Sequence, residues 1–146
     1  MFRSRYEHTI DLKGRVSLPA KFREELSKKG DNVLVITNFD GCLVAYPLSE
    51  WETIEENVSS KPMNDEGVKS FNRFFISGAS DCPIDKQGRI LIPSSLRKYA
   101  NLEKDIVFLG QTKKIEIWNK EQWIEESARA EENVQNMGKE LTNFGI

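Results

Sequence analysis

The sequence predicts a strand-rich α+β fold made of two similar β-β-α-β-β repeats. Residues 11–23 and 85–97 share one pattern, Asp-x-x-Gly-Arg-apolar-x-apolar-Pro-x-x-apolar-Arg. A pattern of this length, present twice in 146 residues, indicates a tandem duplication. A unit of about forty-five residues rarely supports a core of its own, so we expect the two repeats to share one core.

Short apolar runs and turn residues predict the elements of each repeat in order. In the first repeat, strands over 6–10 and 16–18 flank a turn, and a short helix begins at Pro19, where a missing N–H costs nothing. A strand pair over 33–37 and 43–46 completes the repeat. The same order is predicted for the second repeat.

The second repeat is slightly shorter than the first. The offset between the copies is 74 at the motif, from Asp11 to Asp85, but only 72 at the tryptophans, from Trp51 to Trp123. We place this deletion in the hairpin between the strands over 106–109 and 115–118, because a hairpin turn tolerates a change of length.

Helices are predicted between and after the repeats. Ser49 has the position of an N-cap in a capping box, which predicts a helix to about Asn57, and apolar residues from Val68 onward predict a second helix. Asn119 can cap a long C-terminal helix that extends to Phe144. Residues recur along that helix at steps of four and three: Trp123, Ser127, Ala130, Val134, Met137, Leu141 and Phe144. This seam packs either across its own domain or against a neighbouring subunit.

The predicted organisation therefore has four parts. They are a first repeat over 5–51, a helical connector over 52–78, a second repeat over 79–123 and a C-terminal helix over 124–146.

The charge of the chain is unevenly distributed. The formal net charge is −2, yet residues 1–23 hold six basic side chains against two acidic ones. Residues 47–70 and 119–146 each hold six acidic side chains against two and three basic ones. A polyanion meets the local basic patch rather than the average, so the net charge does not exclude nucleic acid as a partner.

Cysteine use and hydropathy predict the compartment. Cys42 and Cys82 occupy non-equivalent positions and form no C-x-x-C pair, which indicates free thiols in a reducing cytoplasm. The first residues have no apolar signal region, and no stretch of the chain is apolar enough to span a bilayer. We expect a cytoplasmic protein that does not associate with a membrane.

The sequence offers little for catalysis, metal ions or cofactors. His8 is the single histidine and has no metal-ligand spacing with the cysteines, so a surface or capping role is favoured. No glycine-rich phosphate loop or nucleophile turn is present. Each motif aspartate precedes an arginine by four residues, which keeps the carboxylate ionised and unsuited to general acid catalysis. We therefore predict neither an enzyme nor a cofactor-binding protein.

The Asp-x-x-Gly-Arg turns are the strongest candidates for function. Asp11 and Asp85 can bond their own backbone, and Gly14 and Gly88 can adopt a positive φ. Considered singly, each turn is a hairpin stiffened by a salt bridge. Because the turn is duplicated, Arg15 would stand with its equivalent on one edge of a pseudo-symmetric body, where both could reach DNA phosphates or guanine edges.

These motifs carry a resemblance to a known family. Asp-x-x-Gly-Arg-apolar-x-apolar-Pro with a following short helix resembles the AbrB/SpoVT type of DNA-binding domain. The tandem form at this length, with the opening Met1-Phe2-Arg3, resembles the MraZ family. The resemblance implies one pseudo-symmetric swapped-hairpin barrel built by a single chain, and chains that assemble into a ring-shaped homo-oligomer.

The resemblance also implies a function. Members of this family are transcriptional regulators, chiefly repressors, of the division and cell-wall gene cluster that contains their own gene. They bind short repeated sequences of double-stranded promoter DNA and associate with the nucleoid.

Site residues follow from the resemblance and from charge. The motif arginines fall on Arg15 and Arg89, and the orienting carboxylates fall on the motif aspartates. Charge alone adds four further candidates for DNA contacts: Lys13, Lys86, Arg3 and Arg5. Ser4 stands where the family pattern has glycine, which puts the local turn in question. The second copy is less basic near its tip, where Lys86 and Gln87 stand against Asp81 and Asp85, so we expect the first copy to contribute more affinity.

One alternative function uses the same fold. AbrB-type antitoxins bind a toxin rather than only DNA, but they usually carry one motif and a disordered acidic tail. This chain has two motifs and a helical seam in its tail. Co-purification with a toxin would favour the antitoxin or protein-binding alternative.

Overall fold

The computed structural model describes residues 1–146 and contains eight strands and six helices. The strands are β1 (Arg5–Thr9), β2 (Arg15–Ser17), β3 (Val33–Phe39), β4 (Cys42–Pro47), β5 (Ser80–Pro83), β6 (Arg89–Leu91), β7 (Asp105–Gln111) and β8 (Lys114–Asn119). The helices are α1 (Ala20–Lys28), α2 (Leu48–Ser59), α3 (Glu66–Phe71), α4 (Ser94–Ala100), α5 (Lys120–Gln135) and α6 (Lys139–Asn143). A π-helical segment, Asn72–Ile76, continues α3. The predicted strand-rich α+β class with two repeats is confirmed.

The strands of the two repeats are interleaved. A six-stranded antiparallel sheet has the order β1-β7-β8-β4-β3-β5, and a separate two-stranded sheet pairs β2 with β6. The first strand of each repeat thus pairs with the third strand of the other repeat. No ladder joins the edge strands β1 and β5, so the closed barrel stays a prediction.

The strand register obeys a pseudo-twofold axis. Val16 pairs with Ile90, its own equivalent in the second repeat, and Val44 pairs with Glu116 in the same way. Such self-pairing places the axis between β2 and β6 and between β4 and β8. The two repeats are therefore related by a rotation rather than placed side by side as separate domains.

The predicted position of the deletion was wrong. β3 begins at Val33 and β7 at Asp105, so the offset is already 72 before either hairpin. Both hairpins have turns of two residues, and the missing residues come from the helix, since α1 has nine residues and α4 has seven. A strand shifted by two residues keeps the same faces inward, so the apolar pattern could not reveal the difference.

The repeats share one core, as expected. Twenty buried residues from both halves form a single apolar cluster on the inner side of the sheet. Phe22 lies at its centre and meets the rings of Phe2, Tyr6 and Phe108 edge to face. Cys42 and Cys82 are both buried and form no disulfide.

Two helix ends differ from the prediction, namely the start of α2 and the end of α5. Ser49 does not cap α2, which begins at Leu48 after Pro47, and its hydroxyl instead donates to Asp31 Oδ2 at 3.2 Å. Asn119 caps α5 as predicted, with its side-chain oxygen 3.0 Å from the amide nitrogen of Gln122. The predicted helix to Phe144 is interrupted, because α5 ends at Gln135 and α6 begins only after Gly138.

The C-terminal helices correspond to the helices that connect the repeats. α5 follows α2 at the same offset at which β7 follows β3, and α6 lies at the position equivalent to α3. Each repeat therefore carries its own pair of helices after its strands. The division of the chain into four parts stays a prediction.

Candidate nucleic-acid interface

The first candidate loop, residues 11–15, is held by one carboxylate. Oδ1 of Asp11 accepts hydrogen bonds from the backbone amides of Lys13 and Arg15, at 3.0 and 2.9 Å. Oδ2 accepts from Nε of Arg15 at 2.9 Å. The turn closes through Gly14, whose amide donates to the Asp11 carbonyl and whose φ is +92°. The aspartate thus fixes both the loop and the direction of the arginine.

The second loop, residues 85–89, repeats this arrangement. Oδ1 of Asp85 accepts from the amides of Gln87 and Arg89, both at 2.9 Å, and Oδ2 accepts from Arg89 Nε at 3.1 Å. Gly88 has a φ of +78°. Glycine favours this left-handed conformation, which costs other residues about 1–2 kcal/mol. Both loops are therefore specified by the same local interactions.

Both carboxylates are held in the charged form. The backbone amide of Arg15 is the main cause of the lowered pKa of Asp11, supported by the guanidinium and the Lys13 amide. The amide of Arg89 acts in the same way to lower the pKa of Asp85. Because a lowered pKa favours the ionised form, each loop keeps its ion pair throughout the neutral range.

The arginines keep donors for a ligand. Only Nε of each guanidinium donates to a protein atom, and the side chains of Arg15 and Arg89 are 41% and 36% exposed. The terminal nitrogens of a guanidinium form a planar fork that matches phosphate oxygens or the O6 and N7 atoms of guanine. The carboxylate therefore orients each arginine without using its terminal donors.

The pairing of β2 with β6 brings the two arginines onto one face. Arg15 lies opposite Leu91, and Ser17 lies opposite Arg89. These four residues share the outer face of the ribbon, while the strand centres, Val16 and Ile90, point into the core. Diagonal neighbours in an antiparallel pair are about 7–8 Å apart. The two arginines thus form one exposed pair across the pseudo-twofold axis.

Each loop is completed by the other repeat. The Ile92 amide donates to the Gly14 carbonyl at 2.8 Å, and the Leu18 amide donates to the Gly88 carbonyl at 2.9 Å. A Cβ atom on Gly14 would lie 2.6 Å from Nε of Arg97, whose own partner is the Ile92 carbonyl. The two loops and the ribbon between them therefore form one unit.

Two further arginines belong to this unit and were not assigned a role from the sequence. Arg97 packs over Gly14, and Arg23 packs over Gly88 with its Nη1 2.5 Å from the position of a Cβ atom there. Both are the last residue of the repeated motif. Their repeated position in the motif could have indicated a shared role. Their contact with the glycine of the other repeat depends on the tertiary structure.

The other predicted contact residues fall in two places. Lys13 and Lys86 are exposed at the tips of the loops, and Leu12, the equivalent of Lys86, is 97% exposed. Arg5 begins β1 and Arg3 precedes it, whereas the first loop follows the other end of this strand, which is about 13 Å long. The guanidinium of Arg5 lies over the ring of Trp123, 5.5 Å from its centroid.

Ser4 adopts the left-handed conformation that glycine favours. Its φ is +76°, and its carbonyl accepts a hydrogen bond from Gly110 at 2.9 Å. The opening segment packs so closely on β7 that a Cβ atom on Gly110 would lie 2.5 Å from the backbone of Arg3. The local turn is thus formed with serine in the left-handed conformation.

Other kinds of site find no support in the structure. No group of three His, Cys, Asp or Glu side chains is placed to hold a metal ion. His8 packs edge to face on Phe108, with 5.4 Å between ring centroids. No helix combines the length and the apolar character that crossing a membrane requires.

Comparisons with known proteins agree with the duplicated architecture. A family model described as "MraZ protein, putative antitoxin-like" matches residues 1–74 and 75–144, so each match includes three helices. Proteins named transcriptional regulator MraZ are 47% identical in Caldanaerobacter subterraneus subsp. tengcongensis and 43% identical in Natranaerobius thermophilus. A protein of the same name from Thermoanaerobacter sp. is 44% identical. Each alignment covers 100% of both chains. This chain, with its two Asp-x-x-x-Arg loops on one ribbon, belongs to the MraZ family.

Proposed function

We propose that the protein is a DNA-binding transcriptional regulator, chiefly a repressor, of the division and cell-wall gene cluster that includes its own promoter. The names of its relatives support a role in transcription. The observation that carries the proposal is the pair of carboxylate-oriented arginines on the outer face of the β2/β6 ribbon. In this proposal the protein acts by binding and does not catalyse a reaction.

A ribbon of this form suits the major groove of double-stranded DNA. That groove admits a two-stranded β-ribbon, and arginine is the residue that most often binds guanine edges with two hydrogen bonds. A separation of about 8 Å between the arginines spans roughly two to three base-pair steps of about 3.4 Å. Arg15 and Arg89 would then contact bases or phosphates within a few steps of each other.

The lysines at the loop tips would position the ribbon on the DNA backbone. Lys13 and Lys86 are exposed and form no ion pair within the chain, so their charges are available for phosphates. Arg3 and Arg5 would act at longer range through charge alone, and we expect a smaller contribution from them than from Lys13. The motif aspartates would orient the arginines without touching the DNA.

Repression would follow from occupancy of several repeats at once. One ribbon makes few contacts and binds weakly, but a ring-shaped homo-oligomer presents many ribbons at high effective concentration. Short direct repeats in the promoter would each receive one ribbon, and polymerase would be excluded from the occupied DNA. Such a protein would be found in the cytoplasm, associated with the nucleoid.

Footprinting on the DNA upstream of the gene for this protein tests the proposal. We expect protection of short, regularly spaced sequences and an affinity that falls steeply with salt, because each neutralised phosphate adds about −0.9 to the slope of log K against log salt. An unprotected upstream region, or binding that does not depend on salt, would contradict the proposal.

The antitoxin-like description of the family favours one second candidate, an AbrB-type antitoxin or protein-binding module. In that case the exposed helices would bind a partner protein. Purification of the tagged chain from its own cells distinguishes the two candidates. A stoichiometric small protein whose toxicity the chain neutralises would favour the antitoxin, whereas promoter DNA without such a partner would favour the regulator.

A further inference from the structure

The outer face of the β2/β6 ribbon departs from the pseudo-twofold symmetry at one pair of positions. Arg15 and Arg89 are equivalent residues at the motif offset of 74, and so are Ser17 and Leu91. The rotation therefore exchanges two identical arginines, but it exchanges a small hydroxyl side chain with a large apolar one. Leu91 is 56% exposed and is the only apolar side chain among the four outward-facing residues.

Folding of the ribbon does not require an apolar residue at this position. The inward-facing residues of the two strands, Val16 and Ile90, are buried and supply the contacts with the core. Ser17 occupies the equivalent place in the same ladder and is exposed, so a small polar residue is accepted there. Leu91 thus adds apolar surface at a place where the packing of the ribbon does not need it.

Leu91 lies directly beside Arg15, because the two residues face each other across the ribbon. The next pair in the ladder is joined by a hydrogen bond from the Ile92 amide to the Gly14 carbonyl at 2.8 Å. Bonded and non-bonded pairs alternate in an antiparallel ladder, so Arg15 and Leu91 form a non-bonded pair, in which the Cα atoms are only about 4.5 Å apart. The bases that these two side chains can contact are therefore separated by one or two steps of about 3.4 Å.

An apolar side chain at this place has one favourable partner in the major groove of DNA. The leucine side chain has neither a donor nor an acceptor, so it forms no hydrogen bond with a phosphate or with the polar atoms of a base edge. Among the groups that distinguish the four bases in this groove, the apolar one is the C5-methyl group of thymine. Contact between this methyl group and Leu91 would remove apolar surface of both partners from water, which is favourable.

We propose that Leu91 recognises a thymine by contact with its 5-methyl group, within one or two base-pair steps of the base or phosphate that Arg15 contacts. This inference rests on the DNA binding proposed above and adds a residue that discriminates between bases beside the arginines. Ser17, at the equivalent position, has no such apolar surface, so the two halves of the ribbon recognise different bases. The ribbon therefore has a direction on the DNA, and its binding site is not palindromic.

Replacement of thymine by uracil tests the contact, because uracil pairs with adenine in the same way and lacks only the 5-methyl group. Duplexes of the protected upstream DNA are made with deoxyuridine at one thymine position of every repeat at a time. Because the contact loses one methyl group, we expect uracil at one of these positions to weaken binding of the wild-type chain by about fourfold or more. Gel-shift titration measures the affinities. Equal affinities for thymine and uracil at every position overturn the inference.

Variants of the chain identify the side chain that makes the contact. Leu91→Ala should bind thymine and uracil DNA with equal affinity, and its binding to uracil DNA, comparable to that of the wild-type chain, shows that it is folded. Leu91→Ser is a second variant with the same expected result, and it carries the residue that the ladder already accepts at the equivalent position. Leu12→Ala is the matched control and should keep the preference for thymine, because Leu12 is exposed at the tip of the first loop, outside the ladder. A preference for thymine that persists in both Leu91 variants, or that is lost in Leu12→Ala, overturns the inference.

The measurements separate this inference from the proposed function. If the upstream DNA is protected and Arg15→Ala weakens binding, but uracil has no effect at any position, the regulator proposal stands and the thymine contact fails. If the upstream DNA is not protected, duplexes that the wild-type chain selects from random sequences take its place. A uracil effect on the selected DNA that Leu91→Ala abolishes supports the thymine contact, while the assignment to the upstream promoter fails. A chain that selects no duplex overturns both proposals.

Discussion

The two repeats agree closely in their Asp-x-x-Gly-Arg loops and differ on the outer face of the six-stranded sheet. The carboxylate hydrogen bonds are 2.9–3.0 Å long in the loop 11–15 and 2.9–3.1 Å long in the loop 85–89, and they join equivalent atoms. On the outer face, by contrast, the first repeat buries Trp51 under its own helices, whereas Trp123 remains half-buried beside an open pocket. The two loops are thus alike in the two repeats, whereas the outer faces of the sheet differ.

The loops also differ in what lies against their glycines. A Cβ atom on Gly14 would meet the backbone carbonyl of Ile92 at 2.6 Å as well as the Arg97 side chain. The three atoms nearest to a Cβ atom on Gly88 all belong to the side chain of Arg23, which is exposed. The nearest contacts at Gly14 thus include a fixed backbone atom, whereas those at Gly88 belong to one flexible side chain.

Substitution of the loop glycines should show this difference most strongly. We expect Gly14→Ala to lower the free energy of unfolding by about 2–4 kcal/mol, since a left-handed φ and a backbone clash add together. Gly88→Ala should cost about 1–2 kcal/mol, because the Arg23 side chain can move away. Urea unfolding of both variants measures the difference. Equal losses would show that the two loops are equally enclosed.

Removal of the motif arginines compares the loops as DNA contacts. We expect Arg15→Ala to reduce binding of the upstream DNA by about 1–3 kcal/mol. Arg89→Ala should reduce it less, because Asp81 makes the second copy less basic near its loop. Both variants should remain folded, since an exposed ion pair contributes little to stability. Gel-shift titration measures the affinities, with Lys69→Ala in α3 as a control for loss of positive charge. Unchanged binding by Arg15→Ala would contradict the role of the ribbon.

A substitution of Ser4, in the opening segment, should have a smaller effect and should stabilise the fold. Ser4 has a φ of +76°, and the corresponding residue before the second repeat is Gly78, which has no positive φ. We expect Ser4→Gly to raise the free energy of unfolding by about 0.5–1 kcal/mol, because glycine adopts the left-handed conformation without strain. Ser4→Ala is the control and should leave the strain in place. Thermal unfolding of the two variants gives the comparison.

The tips of the two loops differ in one residue that can be exchanged. Leu12 is 97% exposed, and Lys86 occupies the equivalent position in the second loop. Leu12→Lys would make the first tip more like the second, and we expect the slope of log K against log salt to steepen by about 0.9 for one added phosphate contact. Stability should change by no more than about 0.5 kcal/mol, because the side chain packs against nothing. An unchanged slope would place this tip away from the phosphates.

Features that depend on neighbours in the chain were predicted from the sequence. The Asp-x-x-Gly-Arg turns form as expected, because each carboxylate bonds amides only two and four residues away. The cap at Asn119 is local in the same sense. The capping box at Ser49 failed because Pro47 already sets the backbone for a helix that begins two residues earlier, at Leu48. The seam that the spacing alone would have continued is interrupted between Gln135 and Lys139, where Gly138 precedes α6.

By itself, the sequence determined the duplication, the α+β class and the two loops that hold an arginine. The tertiary structure decided which strands pair across the repeats, where the offset changes from 74 to 72, and which arginine packs on which glycine. These contacts join residues of different repeats that are far apart in the chain, and an apolar pattern of period two is unchanged when a strand shifts by two residues. Only the folded chain shows that the two loops form one ribbon and that one of two equivalent faces is left open.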